Sequence, residues 1–388
     1  MRIQVIAVLV CCGLAGAQKK AVEEAWDLLA AGKREEAIRI LRGVVKGNAS
    51  DADARLLLGS VLAESGNRVE SIPLLEEAVR LRPNSAEAHH ALGEALHNFG
   101  ERKASRAEFE KAVKLDSGFG QAQADLGAAL FDAGELAAAG EHLDRGIQIF
   151  GRSADAAYPL YLRAKIHSEQ GENEKAAGDL MQAVSLRPDF AEAWSDLGQA
   201  RKQRMDEAGA LAAFQRAVAL SPEDAVAQTR LGAEYLSQGK AHEAVPHLRE
   251  AVRLNRESQT ALYSLQSALR EDGQNLQAQE VKQRLTELLR NRDRASENAL
   301  RAVQLNNEGT ALERVGNLPA ALEKYQAALA LTPDHVGIRT NMAAALLRLG
   351  RWNEGIAELR ESVRRDPDNT SLQIALKEAL SNVPSKRN

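Results

Sequence analysis

The sequence predicts an all-α protein built as a stack of paired helices, and three observations carry that prediction. Apolar and small residues recur three and four apart, the spacing that gathers them on one face of a helix. The pattern returns every 34 residues along most of the chain. Glycine and proline also keep fixed places within the period. Gly32, Gly66, Gly100, Gly134, Gly171, Gly239, Gly273, Gly316 and Gly350 mark a turn between two helices. Pro83, Pro188, Pro222, Pro333 and Pro367 close the unit, since proline lacks the N–H and its ring clashes with the preceding turn. Neither helix of a unit can hide its apolar stripe alone, so each unit needs copies of itself on both sides.

The stretch Ala191–Pro222 displays the unit most clearly. Its first helix carries Trp194, Leu197, Gly198 and Ala200; its second carries Ala210, Phe214, Ala217 and Leu220. Across the chain the eighth place reads Ala25, Gly59, Gly93, Gly127, Ala164, Gly198, Gly232, Gln266, Gly309 and Ala343. The twentieth reads Ala37, Ser71, Ser105, Ala139, Ala176, Ala210, Ala244, Ala278, Ala321 and Gly355, all small. The twenty-fourth reads Leu41, Leu75, Phe109, Leu143, Leu180, Phe214, Leu248, Lys282, Tyr325 and Leu359, apolar in all but one. Small residues at the eighth and twentieth places let helix backbones approach closely.

In these residues the chain resembles the tetratricopeptide repeat family. The period, the start Trp194-x-x-Leu197-Gly198, the small Ala210, the aromatic Phe214, the second small residue Ala217 and the closing Pro222 all match its pattern. The resemblance runs from about Gln18 to Asp368 and covers ten repeats. It implies a right-handed superhelical solenoid that grows by stacking rather than around one core. It also implies a binding surface, since the family mostly supplies such surfaces.

Residues 1–17 differ in kind. Arg2 precedes a twelve-residue apolar run, Ile3–Leu14, and Ala15-Gly16-Ala17 follows. A charged start, a short apolar core and an A-x-A site describe a secretory signal peptide cleaved after Ala17, and the run is short for a bilayer span. Cleavage would remove Cys11 and Cys12, the only cysteines, so an oxidising compartment would do the mature chain no harm. Repeats one to eight occupy residues 18–295. Three residues are inserted around Phe150–Asp155, where the glycine spacing rises to 37, and a longer loop is expected there. Repeat eight departs most: Gln266, Lys282 and Leu285 replace its small, aromatic and second small residues, and the next turn glycine comes after 43 residues. Its second helix is expected to end before Ser296, whose side chain would cap a new helix, with a bend at residues 285–300. Repeats nine and ten fill residues 296–369. Residues 370–383, with Leu372, Leu376, Ala379 and Val383 on one face, read as a capping helix, and 384–388 as a tail.

Composition narrows the function. The 388 residues carry a formal net charge of −4, so no basic field draws nucleic acid. No phosphate-cradling glycine loop, nucleophile elbow, His-Glu-x-x-His or metal-spaced cysteine pair occurs. The expectation is a non-enzymatic chain without cofactor, spanning no membrane once the signal is cleaved. The signal peptide makes the expected scaffold an exported one, periplasmic or secreted, and the family resemblance implies that it binds a protein or peptide partner in assembly of envelope complexes, pili or polysaccharide export machines.

By the same resemblance the first helix of each pair lines a concave groove. Its second, fifth, sixth, ninth and twelfth places are then Glu87, His90, Glu94, His97, Asp125, Phe131, Asp132, Tyr158, Tyr161, Lys165, Glu192, Asp196 and Gln199 in repeats three to six. Repeats seven to ten add Arg230, Tyr263, Arg270, Asn306, Asn307, Arg314, Asn341 and Arg348. The first set is acidic with aromatics and the second polar with arginines, which suits an extended peptide with its basic part toward the N-terminal repeats. Asn307 and Asn341 hold a place where some family members use an amide on a bound peptide backbone. The runner-up reading is a binder of a small ligand, glycan or metal in the groove of repeats three to five. No metal is expected, although His90, Glu94 and His97, spaced four and three apart on one helical face, form the one constellation resembling a metal site.

Overall fold

A computed structural model describes residues 16–383 except Ala49 and Asp368. Most of the expected signal peptide therefore lies outside the described residues, and Gly16 and Ala17 open the first helix. Among the described residues there are twenty α-helices and no strand. The chain divides into two compact units, the first ending at Leu254 and the second starting at Asn255.

The first unit holds seven helix pairs. They are α1 (Gly16–Ala30) with α2 (Arg34–Gly47), α3 (Ala52–Glu64) with α4 (Arg68–Leu81), and α5 (Ala86–Asn98) with α6 (Arg102–Leu115). Then come α7 (Gly120–Asp132) with α8 (Leu136–Phe150), α9 (Ala157–Glu169) with α10 (Asn173–Leu186), α11 (Ala191–Gln203) with α12 (Glu207–Leu220), and α13 (Ala225–Ser237) with α14 (Ala241–Leu254). The second unit contains α15 (Gln259–Glu271), α16 (Asn275–Arg314), α17 (Leu318–Leu331), α18 (Val336–Arg348), α19 (Trp352–Arg365) and α20 (Thr370–Ser381). Within each unit a helix packs on the ones before and after it, and α3 on α5, α7 on α9 and α16 on α18 also touch. First helices thus lie side by side. The apolar interior is a series of clusters shared between neighbouring pairs; one joins Val22 and Ala25 of α1 to Leu41 of α2 and Leu57 of α3.

The period has direct structural causes. All nine turn glycines adopt φ between +71° and +80°, a left-handed backbone open to glycine at no steric cost. Repeat six has no glycine there, and Met205 takes the same conformation at φ 61° with its side chain 87% exposed. Left-handed backbone costs a residue with a Cβ roughly 1–2 kcal/mol. Asp51, Asn67, Ser85, Asp206 and Asp224 each accept a backbone N–H of the helix they precede, satisfying donors that the first turn leaves open.

The fourth place of the unit has a role beyond packing. Trp194 Nε1, Gln228 Nε2 and Gln373 Nε2 donate to the carbonyl six residues upstream, on Pro188, Pro222 and Pro367, at 3.0, 2.9 and 2.6 Å. Gln123 does the same to Ser117 (2.9 Å) and Arg339 to Pro333 (2.5 Å). Many of these side chains also reach the second helix of their own pair. His142 Nδ1 donates to Gln123 (2.7 Å), His247 Nδ1 to Gln228 (2.9 Å), and Arg339 donates to Glu358. Burial lowers the pKa of His142 and His247, which favours the neutral imidazole, and the bond to the Gln oxygen fixes its proton on Nδ1. Gln123, Gln228 and Arg339 each tie the incoming turn to both helices of their pair.

Two irregular places differ in outcome. The insertion is absorbed locally: α8 runs to Phe150, Gly151 turns at φ 59°, and a 3-10 turn at Ala154–Ala156 leads into α9. At repeat eight the expected break is absent. Helix α16 continues through 40 residues and serves as partner first to α15 and then to α17. Ser296 caps nothing; its hydroxyl donates back to the Arg292 carbonyl at 3.0 Å. The cause is composition: no glycine or proline interrupts residues 275–308, which are rich in strong helix formers.

Candidate functional site

The face made by successive first helices carries the sequence-predicted residues. In the first unit it runs over α5, α7, α9, α11 and α13. Helix α5 presents His90 and Glu94 one turn apart, because positions i and i+4 share a helical face. His90 is 6% exposed, and its ring lies against Phe109 (5.5 Å between centroids) and Phe119 (4.9 Å). Held so, its Nε2 sits 2.8 Å from Asp125 Oδ2 on α7 and its Nδ1 sits 3.6 Å from Glu94 Oε2. Gln121 Nε2 donates to the same Asp125 oxygen at 3.0 Å. A recess of about 50 Å³ opens beside them, bounded by Glu94, Asp125, Phe109 and Tyr158. His97 lines this recess but is exposed and stands outside the cluster; its expected place beside His90 and Glu94 is filled by Asp125. Glu87 accepts from Ser85 Oγ (2.7 Å) at the start of α5.

Aromatics dominate the next stretch. Lys165 Nζ sits over the rings of Phe131 and Tyr161, 5.9 and 5.6 Å from their centroids, a cation–π arrangement. Tyr161 lies between Tyr158 and Phe190 with tilted rings, centroids 6.4 and 4.9 Å away. Burial together with the neighbouring Asp196 carboxylate, to which it hydrogen-bonds, pushes the Tyr161 phenol up, so it remains a donor. Arg230 Nη1 then donates to Asp196 and Ser195, both at 2.7 Å. Lys165, Asp196, Gln199 and Arg230 border a second recess of about 270 Å³ between α9, α11 and α13.

A rule emerges that the sequence reading missed. The fifth residue of one repeat bonds the sixth residue of the next, 35 positions later: His90 with Asp125, Tyr161 with Asp196, Ser195 with Arg230. In the second unit Asn341 Nδ2 donates to Asn306 Oδ1 at 2.9 Å by the same rule. Asn341 therefore commits one amide hydrogen to its neighbour, and Asn307, one residue beyond Asn306, is exposed. The signal was available as complementary polar types spaced 35 apart. Elsewhere on this unit Arg348 pairs with Glu313 (2.5 Å), while Tyr263 is 64% exposed. Asp132, Glu192 and Arg270 are also exposed.

Comparisons with known proteins agree with this architecture. Models of the tetratricopeptide repeat match residues 22–86, 65–118 and 161–225, and further models of the same repeat match 225–258 and 314–380. Over 64 residues, 16% of this chain and 9% of the relative, the sequence is 39% identical to the TPR repeat-containing thioredoxin TTL4 of Arabidopsis thaliana. Over 64 residues, 16% of this chain and 19% of the relative, it is 41% identical to the heat-shock protein cognate co-chaperone sgt12 of Aspergillus fumigatus. The chain thus spans under a fifth of the length of either. The solved structure of Pseudomonas aeruginosa pilF superposes with a TM-score of 0.51 at 17% identity, over 55% of this chain and 97% of that one. Among the described residues no helix is long and apolar enough to cross a membrane. With helix pairs, turn glycines and repeat models in one register, the chain belongs to the tetratricopeptide repeat family.

Proposed function

We propose that this chain is an exported, non-catalytic scaffold that holds a partner protein against the first-helix face of α5 to α13. Repeats of this family form protein–protein interaction surfaces, and the charged start followed by the apolar run Ile3–Leu14 supports export. The observation that carries the reading is the charge order along the face. Glu94 and Asp125 stand half-buried beside the Tyr158 recess, whereas Lys165 lies over rings farther along. A basic segment of the partner lies over α5 and α7, with Tyr158 and Phe131 giving it apolar contact. Partly buried charges lose less to solvent screening than exposed ones.

The test is charge reversal. The double variant Glu94→Lys/Asp125→Lys, shown to be folded by its circular dichroism, is expected to lose at least about tenfold in affinity for a protein that co-purifies in stoichiometric amount with the wild type. Equal recovery of that protein with the wild type and with the double variant would remove the reading.

A further inference from the structure

We propose that His90, Glu94 and Asp125 form a binding site for a divalent transition-metal ion, zinc by its chemistry, which ties the third repeat to the fourth. This inference goes beyond scaffold function; it draws on the same two carboxylates as the proposed partner site, but its readout is metal binding by the purified chain, which needs no partner.

The three side chains come from two helices, α5 and α7, and offer one ligand atom each within 4.8 Å of one another. A single ion with bonds of about 2.0–2.2 Å reaches all three after small side-chain adjustments. The donor set is one imidazole nitrogen and two carboxylate oxygens, which suits zinc and similar borderline ions rather than magnesium or calcium. Both carboxylates are partly withdrawn from water, with side chains 25% and 12% exposed, and one imidazole stands between them. A dication held by both carboxylates would be the largest local charge in so confined a place.

The surroundings have the features of a prepared site. The rings of Phe109 and Phe119 fix the His90 imidazole, so little rotamer freedom is lost on binding. Gln121 Nε2 orients Asp125 at 3.0 Å, the kind of outer-shell hydrogen bond that sets a ligating carboxylate. Two of the three residues, Glu94 and Asp125, line the recess of about 50 Å³. That is room for at least one water, which needs about 10–15 Å³ on the same measure. The ion would therefore keep an open position toward the partner-binding face. Sequence spacing alone pointed to His97 as the third ligand; the fold supplies Asp125 from the neighbouring repeat instead.

The experiment titrates the purified, metal-stripped full chain with zinc by calorimetry and with cobalt by visible absorption. The proposal predicts one zinc per chain and cobalt bands of a low-symmetry nitrogen–oxygen site. Glu94→Gln and Asp125→Asn each weaken binding by about tenfold or more. His97→Ala leaves it unchanged, which separates this cluster from adventitious histidine binding. Affinity falls as the pH drops, because protons and metal compete for the same imidazole lone pair. Absence of stoichiometric binding, or binding that survives Glu94→Gln and Asp125→Asn or is lost in His97→Ala, would overturn the proposal.

Discussion

Replacing Gly198 by alanine is expected to cost about 2 kcal/mol of stability, although at an ordinary helix position the same change gains about 1 kcal/mol. A Cβ built on Gly198 would lie 2.6 Å from Cδ1 and Cε1 of Phe214, well inside any real contact. The ring is 1% exposed and packed among its neighbours, so it has nowhere to move. The same fit recurs wherever the twenty-fourth place is aromatic: Gly93 faces Phe109 and Gly309 faces Tyr325, each at 2.7 Å. Glycine also meets leucine, with a Cβ on Gly59, Gly127 or Gly232 lying 2.7, 2.8 or 2.5 Å from Leu75, Leu143 or Leu248. Yet every alanine at the eighth place is matched with leucine and none with an aromatic: Ala25 with Leu41, Ala164 with Leu180, Ala343 with Leu359. Leucine can turn its branch away where a planar ring cannot. Gly198→Ala should therefore become neutral or stabilising in a Phe214→Leu background, and urea unfolding of the four proteins measures the coupling. Additive effects would mean that ring and glycine do not share that space.

The second large effect concerns the inserted residues before repeat five. Arg163 of α9 grips Asp179 of α10 with two parallel bonds, 2.7 and 2.6 Å, and reaches back to Asp144 of α8 at 2.6 Å. Asp179 is 5% exposed, and these carboxylates hold the guanidinium pKa above its ordinary value. Removing one partner of such a pair strands the other as a buried charge, a loss of about 3 kcal/mol or more. Arg163→Met is expected to show that loss in urea unfolding. Arg163→Met/Asp179→Leu should recover most of it, since apolar replacement of both partners removes the stranded charge. A single variant as stable as the wild type would place the stacking across the insertion elsewhere.

How far the sequence revealed this molecule depends on the range of each interaction. Glycine turns, proline stops and the small columns act within one helix pair, and they were legible because φ preference and helix spacing are local. The interior of α16 was misread: one serine at 296 suggested a boundary, yet a cap needs a chain break to act on, and nothing between residues 275 and 308 supplies one. The candidate site was legible as a set of residues on one face but not as a set of partners. A helical wheel brings His97 to Glu94 and cannot bring Asp125 to His90, because that meeting depends on how far one repeat advances on the next. The same limit hid the Arg163 bridge and the Asn306–Asn341 pair. Trp194 read as packing, and it does pack, but its indole N–H also closes the turn at Pro188.

The proposed function depends on one claim, that the face built from first helices is where a partner sits. Site-specific photo-crosslinking tests it most directly. A photoreactive phenylalanine analogue is placed at Tyr158 or Gln199 on that side, and at Glu110 of α6 or Arg216 of α12 on second helices. The protein that co-purifies with the chain should be captured in stoichiometric yield from positions 158 and 199 and only at background from 110 and 216. Capture from 110 and 216 with none from 158 and 199 would contradict the account.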